Sequence, residues 1–220
     1  MKLLPPFVAL LALALGLVGC NQSRRGGELR LKHSVTVMTP DGPRSFFSVV
    51  SLDGIQAYNH GFGGSGWGAI SCTLTGEAVR VPIGGSDFYF LLARPGGYTP
   101  AWTQIKLVKS HFGLPNHTDD ARWVKQWRAL AQSGSAVDLA PEAFPAIAVM
   151  PAGGWMNDAR LVSPAEAETL GLHVLRYRLE ITRDPVGAYP GAAVRYRERD
   201  RTAPNTGIGR ELFTVVDGIA

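Results

Sequence analysis

Cysteine is almost missing from this chain: only Cys20 and Cys72 occur in 220 residues. A framework of several disulfides is therefore excluded, and so is a cysteine-rich metal site. Charge is also sparse. Charged residues make up 18% of the sequence and the net charge is +4, too mild to point to nucleic acid. Long apolar runs are missing beyond the first twenty residues. The glycine-rich stretch Gly61-Phe62-Gly63-Gly64-Ser65-Gly66-Trp67-Gly68 lacks the lysine and following helix of a phosphate-binding loop. Ser65 has Gly63 two residues before it but Trp67 two residues after, so the nucleophile elbow Gly-x-Ser-x-Gly fails as well. The stretch reads as a hairpin loop.

The amino-terminal segment is the most specific feature present. Lys2 gives a cationic start, and Leu3 to Val18 is almost wholly apolar. The core run from Phe7 to Val18 falls short of the roughly 20 residues a membrane-spanning helix requires. Leu17-Val18-Gly19-Cys20 closes it with small residues at the cut. This pattern resembles the bacterial lipoprotein signal with its lipobox. The resemblance implies cleavage before Cys20, acylation of its thiol and new amino group, and anchoring by more than one acyl chain. Asn21 in place of aspartate implies transfer to the outer membrane, facing the periplasm. The expected organisation is a signal peptide over 1–19, a flexible tether over 20–28, and one α+β domain over 29–220.

With Cys20 acylated, Cys72 has no intrachain partner. It sits in the strand-like run Ile70-Ser71-Cys72-Thr73-Leu74 and reads as a small buried hydrophobe.

Within the domain, Leu29, Leu31, Val35 and Val37 recur at period two, and Pro40-Asp41-Gly42-Pro43 marks a turn into a second strand over Phe46 to Leu52. Further strands are expected at 67–75, 78–83 and 87–93, the last buried on both faces. Thr99-Pro100 opens a helix to Phe112, with Trp102, Ile105, Val108 and Phe112 on one stripe. A second helix is expected between Asp119 and Gly134, with Trp123, Trp127 and Leu130 on its packing face. Sugar stacking or lipid contact is the rival reading of those tryptophans. A short helix is expected over 139–144 and strands over 146–150 and 160–162. Ser163-Pro164-Ala165-Glu166 is a capping box. A long strand from Leu172 to Arg183 should turn Leu175, Tyr177, Leu179 and Ile181 inward. The fold class that follows is α+β, a mostly antiparallel sheet with two helices packed on one face.

Candidate chemistry is thin. His111, His117, Asp119 and Asp120 have no compact metal-ligand spacing, so neither metal nor cofactor is expected. Arg195, Arg197, Arg199 and Arg201 share one face of a possible strand, as do Arg176 and Arg178. Side by side, the two rows would form a cationic strip for a phosphate or carboxylate on lipid or glycan. The opposing reading is an edge strand protected by charge.

Two blocks carry a wider likeness. One is Val35-Thr36-Val37-Met38-Thr39-Pro40-Asp41-Gly42-Pro43-Arg44-Ser45. The other runs from Leu161-Val162-Ser163-Pro164 to Leu175-Arg176-Tyr177-Arg178-Leu179-Glu180-Ile181-Thr182-Arg183-Asp184-Pro185-Val186. Both resemble uncharacterised proteobacterial lipoproteins and envelope proteins. The likeness covers most of residues 29–186 and implies location and fold kinship, with no catalytic residue carried over. The expected function is a non-enzymatic envelope lipoprotein that meets an envelope protein, a glycan or an anionic lipid. The alternative is a periplasmic hydrolase drawing on Asp53, His60, Ser65, His111, His117 or Asp158.

Overall fold

The computed structural model describes residues 23–59, 66–114, 120–191, 208–209 and 212–219. The chain forms β1 (Ser23–Thr39), β2 (Gly42–Asn59), β3 (Gly66–Glu77), β4 (Val79–Ile83) and β5 (Ser86–Phe90). Two helices follow, α1 (Pro100–Phe112) and α2 (Asp120–Leu130). Then come β6 (Ala136–Leu139), β7 (Ile147–Pro151), β8 (Arg160–Val162), α3 (Pro164–Thr169), β9 (His173–Thr182), β10 (Gly187–Tyr189) and β11 (Thr214–Ile219). The larger sheet has the order β11-β3-β2-β1-β9-β6, with β10 beside β2; the smaller has β4-β5-β7-β8. The strand pairings are antiparallel throughout. The protein is thus α+β, and its two longer helices lie on the apolar face of the large sheet.

That face follows from the period of the strands. Leu29, Leu31, Val35 and Val37 of β1 are all fully buried. Their cross-strand partners Leu52, Val50 and Phe46 on β2, and Tyr177 and Ile181 on β9, complete the layer. β5 is the central strand between β4 and β7, and Phe88, Tyr89 and Phe90 are buried on both of its faces.

Three expectations change. β1 begins at Ser23, inside the segment read as a flexible tether, so Ser23 to Glu28 belong to the sheet and pair with β2 except at Gly26, where the register shifts. The cause is packing: the Trp127 indole nitrogen donates to the Gly27 carbonyl at 2.7 Å, and Arg128 donates to the Arg25 carbonyl at 2.8 Å. Leu175 does not turn inward. Thr36 pairs with Arg176 and Val37 with Val174, so Leu175 is the extra residue of a β-bulge and is 52% exposed. The expected helix over 139–144 contracts to a 3-10 turn at Pro141–Ala143, preceded by the unexpected edge strand β6.

Trp123 and Trp127 are both fully buried, so they pack α2 onto the sheet. Their ring centroids lie 5.0 Å apart. The sheet makes room with glycine. A Cβ on Gly54 would come within 2.8 Å of Trp123 Cη2, and one on Gly26 within 2.7 Å of Trp127 Cδ1. Gly54→Ala should therefore cost about 1–3 kcal/mol by overpacking. The measurement is the urea midpoint, and an unchanged midpoint would show that the tryptophans can shift freely.

After β9 the chain crosses the outer face to reach the far side of β2. Lys32 Nζ meets Asp184 Oδ2 at 2.7 Å, and Arg30 donates to the carbonyls of Arg183 and Asp184 at 3.1 Å. Tyr189 then stacks on Phe47. Gly187 of β10 pairs beside Val49, which is buried.

Candidate functional site

A concavity lies beside α1. Thr99 caps that helix by accepting from the Trp102 amide, Pro100 occupies its first turn, and Gly113 ends it with φ 69°. Ala101, Gln104, Ile105 and Val108 are buried against the sheets. The neighbouring face, with Thr103, Lys106, Leu107 and Ser110, looks into a cavity of about 890 Å³.

The other two walls are backbone segments held in place by hydrogen bonds. Leu91 to Arg94 continue from β5, and Ala143 to Ala146 follow the 3-10 turn. The Leu91 amide donates to the Ala146 carbonyl at 2.9 Å, and the Leu92 amide to the Leu212 carbonyl at 2.8 Å. Gln104 Nε2 donates to the Leu92 carbonyl at 2.8 Å and so fixes the helix to that wall. The volume lies within the roughly 300–1,000 Å³ of small-molecule sites.

The interior is apolar and the rim is cationic. Leu91, Leu92, Leu107, Leu114, Phe144 and Pro145 supply most of the apolar wall, and Arg94, Lys106 and Lys109 supply charge. Neither a carboxylate nor a histidine lines the cavity among the described residues. Lys106 Nζ sits 3.1 Å from the centroid of the Tyr98 ring and, as its hydrogen-bond partner, pulls the Tyr98 hydroxyl pKa below the ordinary value. Lys109 lies 6.0 Å from the Trp102 ring centroid. Partial burial lowers its pKa.

A second cavity, of about 840 Å³, lies between the 3-10 turn, α3 and the start of β9. Here the charges are matched locally. Arg176 contacts Asp138 at 2.9 Å, Arg178 contacts the same carboxylate at 3.4 Å, and His173 lies 3.5 Å from Glu168. The Arg176 hydrogen bond holds the Asp138 pKa below the usual carboxylate range.

The sequence-derived candidates distribute as follows. Arg176 and Arg178 share the outer face of β9, which β1 flanks on one side and β6 on the other. Arg195, Arg197, Arg199 and Arg201, and Cys20 with the signal segment, lie outside the described residues. So do His60, Ser65, His117 and Asp119. Asp53 is on β2, His111 in the last turn of α1, and Asp158 in the 3-10 turn Met156–Asp158, where it accepts from the Trp155 amide. No hydrogen bond or ion pair joins any two of these three. Among the described residues no three of His, Cys, Asp and Glu gather as metal ligands. Cys72 is buried, and burial pushes its thiol up to about 12. A thiol so held is no nucleophile at neutral pH.

Motif reasoning misses the cleft residues, since Leu91, Lys106 and Phe144 meet only through tertiary packing. The available signal is Lys106 and Lys109 beside the apolar stripe of α1. No protein-family model, curated protein or solved structure matches the chain. None of these comparisons supports the likeness to envelope lipoproteins read from the two sequence blocks. Among the described residues no helix is long and apolar enough to cross a membrane.

Proposed function

We propose that this protein is a membrane-anchored envelope lipoprotein, held by acyl groups on Cys20, whose folded domain is a non-enzymatic binding module with the α1 cleft as its site. The observation that carries the binding reading is the cleft: tied walls, an apolar interior and, among the described residues, a lining without a carboxylate or histidine. Histidine and carboxylates are the commonest groups to activate a nucleophile, and among the described residues none lines the cleft beside Lys106, Lys109, Tyr98 and Ser110. The anchor reading rests on Leu17-Val18-Gly19-Cys20 after the apolar run.

Metabolic labelling with an alkyne palmitate analogue tests the anchor. The wild-type chain should take up label and fractionate with outer membranes. Cys20→Ser should lose the label entirely. Equal label on both would remove the anchor from Cys20.

A further inference from the structure

We infer that the α1 cleft binds a single-chain amphiphile with an anionic head, the acyl chain lying between α1 and the walls Leu91–Arg94 and Ala143–Ala146. The inference rests on the reading of the cleft as a binding site and names its ligand class. Three properties select that class. The cavity is large and mainly apolar, as an alkyl chain requires. Its formal charge is of one sign: among the described residues Arg94, Lys106 and Lys109 line it and no acidic residue does. Neither lysine is a freely extended surface cation, for Lys106 lies over Tyr98 and Lys109 near Trp102.

Charge selects against the alternatives. A neutral alkyl ligand would make no use of the exposed Arg94 and Lys106 or the half-buried Lys109. A polar sugar would place hydroxyls against Leu92, Leu107 and Phe144 without partners. The second cavity does not compete for an anion, because Asp138 already engages Arg176 and Arg178, and Glu168 lies beside His173. An oxyanion at the rim fits both a fatty carboxylate and the phosphate of a lysophospholipid.

The test uses the full chain, expressed with its own signal and purified from membranes into phosphatidylcholine nanodiscs. The probe is tetradecanoate carrying a diazirine in its chain, and adducts are mapped by peptide mass spectrometry. Adducts are expected on α1 and on the Leu91–Arg94 and Ala143–Ala146 walls. Unlabelled tetradecanoate should compete roughly tenfold better than tetradecanol at equal mole fraction in the bilayer, the difference made by charge-assisted contacts. Lysophosphatidylglycerol in a parallel arm identifies the head: competition by the carboxylate, the phosphate or both supports the oxyanion site and tells the sources apart. The pair Lys106→Gln and Lys109→Gln should reduce labelling roughly tenfold. Leu107→Trp should abolish it while leaving the thermal midpoint near that of the parent, which separates a filled cleft from an unfolded chain.

Equal competition by tetradecanol, or full labelling of the double lysine variant, overturns the anionic class and leaves the cleft as a binding site. No adduct in the cleft overturns the amphiphile itself. A bifunctional cross-linker then separates the two readings: a protein captured on the cleft keeps the binding role, and no capture removes it along with the ligand.

Discussion

Replacing Trp127 with alanine should lower the stability of the folded domain by about 3–5 kcal/mol, a large part of the margin of an ordinary domain. Urea denaturation followed by circular dichroism measures it. The side chain is fully buried. Its ring packs tilted against Trp123 at 34° between planes, fills the space left by Gly26 and Gly54, and donates to the Gly27 carbonyl. Truncation removes all three at once. It also releases the start of β1, because the Gly27 bond and the Gly26 contact hold that end of the strand to α2. The two tryptophans separate the contributions. Trp123 Nε1 is buried and has no acceptor among the described residues. Trp123→Phe removes that unsatisfied donor, whereas Trp127→Phe leaves the Gly27 carbonyl without its partner. The phenylalanine variant at 127 should therefore be the less stable of the two. The reverse order would show that ring volume alone governs the site.

The same pair shows what a sequence makes legible. Their spacing on a helix face, together with Gly113 and Pro115 before it, places α2 and its packing face. Nothing local indicates that Gly26 and Gly54, far apart in the chain, form the seat, since that depends on β1 pairing with β2 in one register. Short-range chemistry is readable throughout: Thr99 and Ser163 cap their helices, and Gly113 ends α1. Long-range pairing is not. The docking of β9 between β1 and β6, and the bulge that exposes Leu175, depend on strands distant in sequence. The cleft is illegible for the same reason, because its three walls come from separate segments, each ordinary by itself.

His33 continues the period-two row of Leu29, Leu31, Val35 and Val37, so its place in the core is available from the sequence. It is 3% exposed, and its Nδ1 lies 2.8 Å from the Tyr177 hydroxyl. Burial pushes the His33 pKa down to about 4, with the Gln104 side chain acting weakly in the opposite direction. Burial also raises the Tyr177 pKa, so the phenol stays protonated and can donate to a neutral imidazole. The unfolded chain takes up the His33 proton near the ordinary 6.5, while the folded chain resists it down to about 4. In that window the unfolded state binds more protons, so stability rises with pH. The contribution is complete above 6.5 and is lost as pH falls toward 4, with a size of about 2–3 kcal/mol. Unfolding free energies from urea titrations at about pH 7.5 and about pH 4.5 should therefore differ by about 2–3 kcal/mol in the parent. In His33→Gln, which keeps a polar group near Tyr177 but cannot titrate, most of the difference should vanish. Asp138, Asp184 and Glu28 have pKa values held low by Arg176, Lys32 and Arg30 respectively. They also lose stabilisation in acid, but below their ordinary carboxylate range and equally in parent and variant. The difference between the two chains therefore isolates the imidazole. An equal acid loss in both would show that His33 gains a proton without disturbing the core, and that Gln104 and Tyr177 can rearrange to hold the imidazolium.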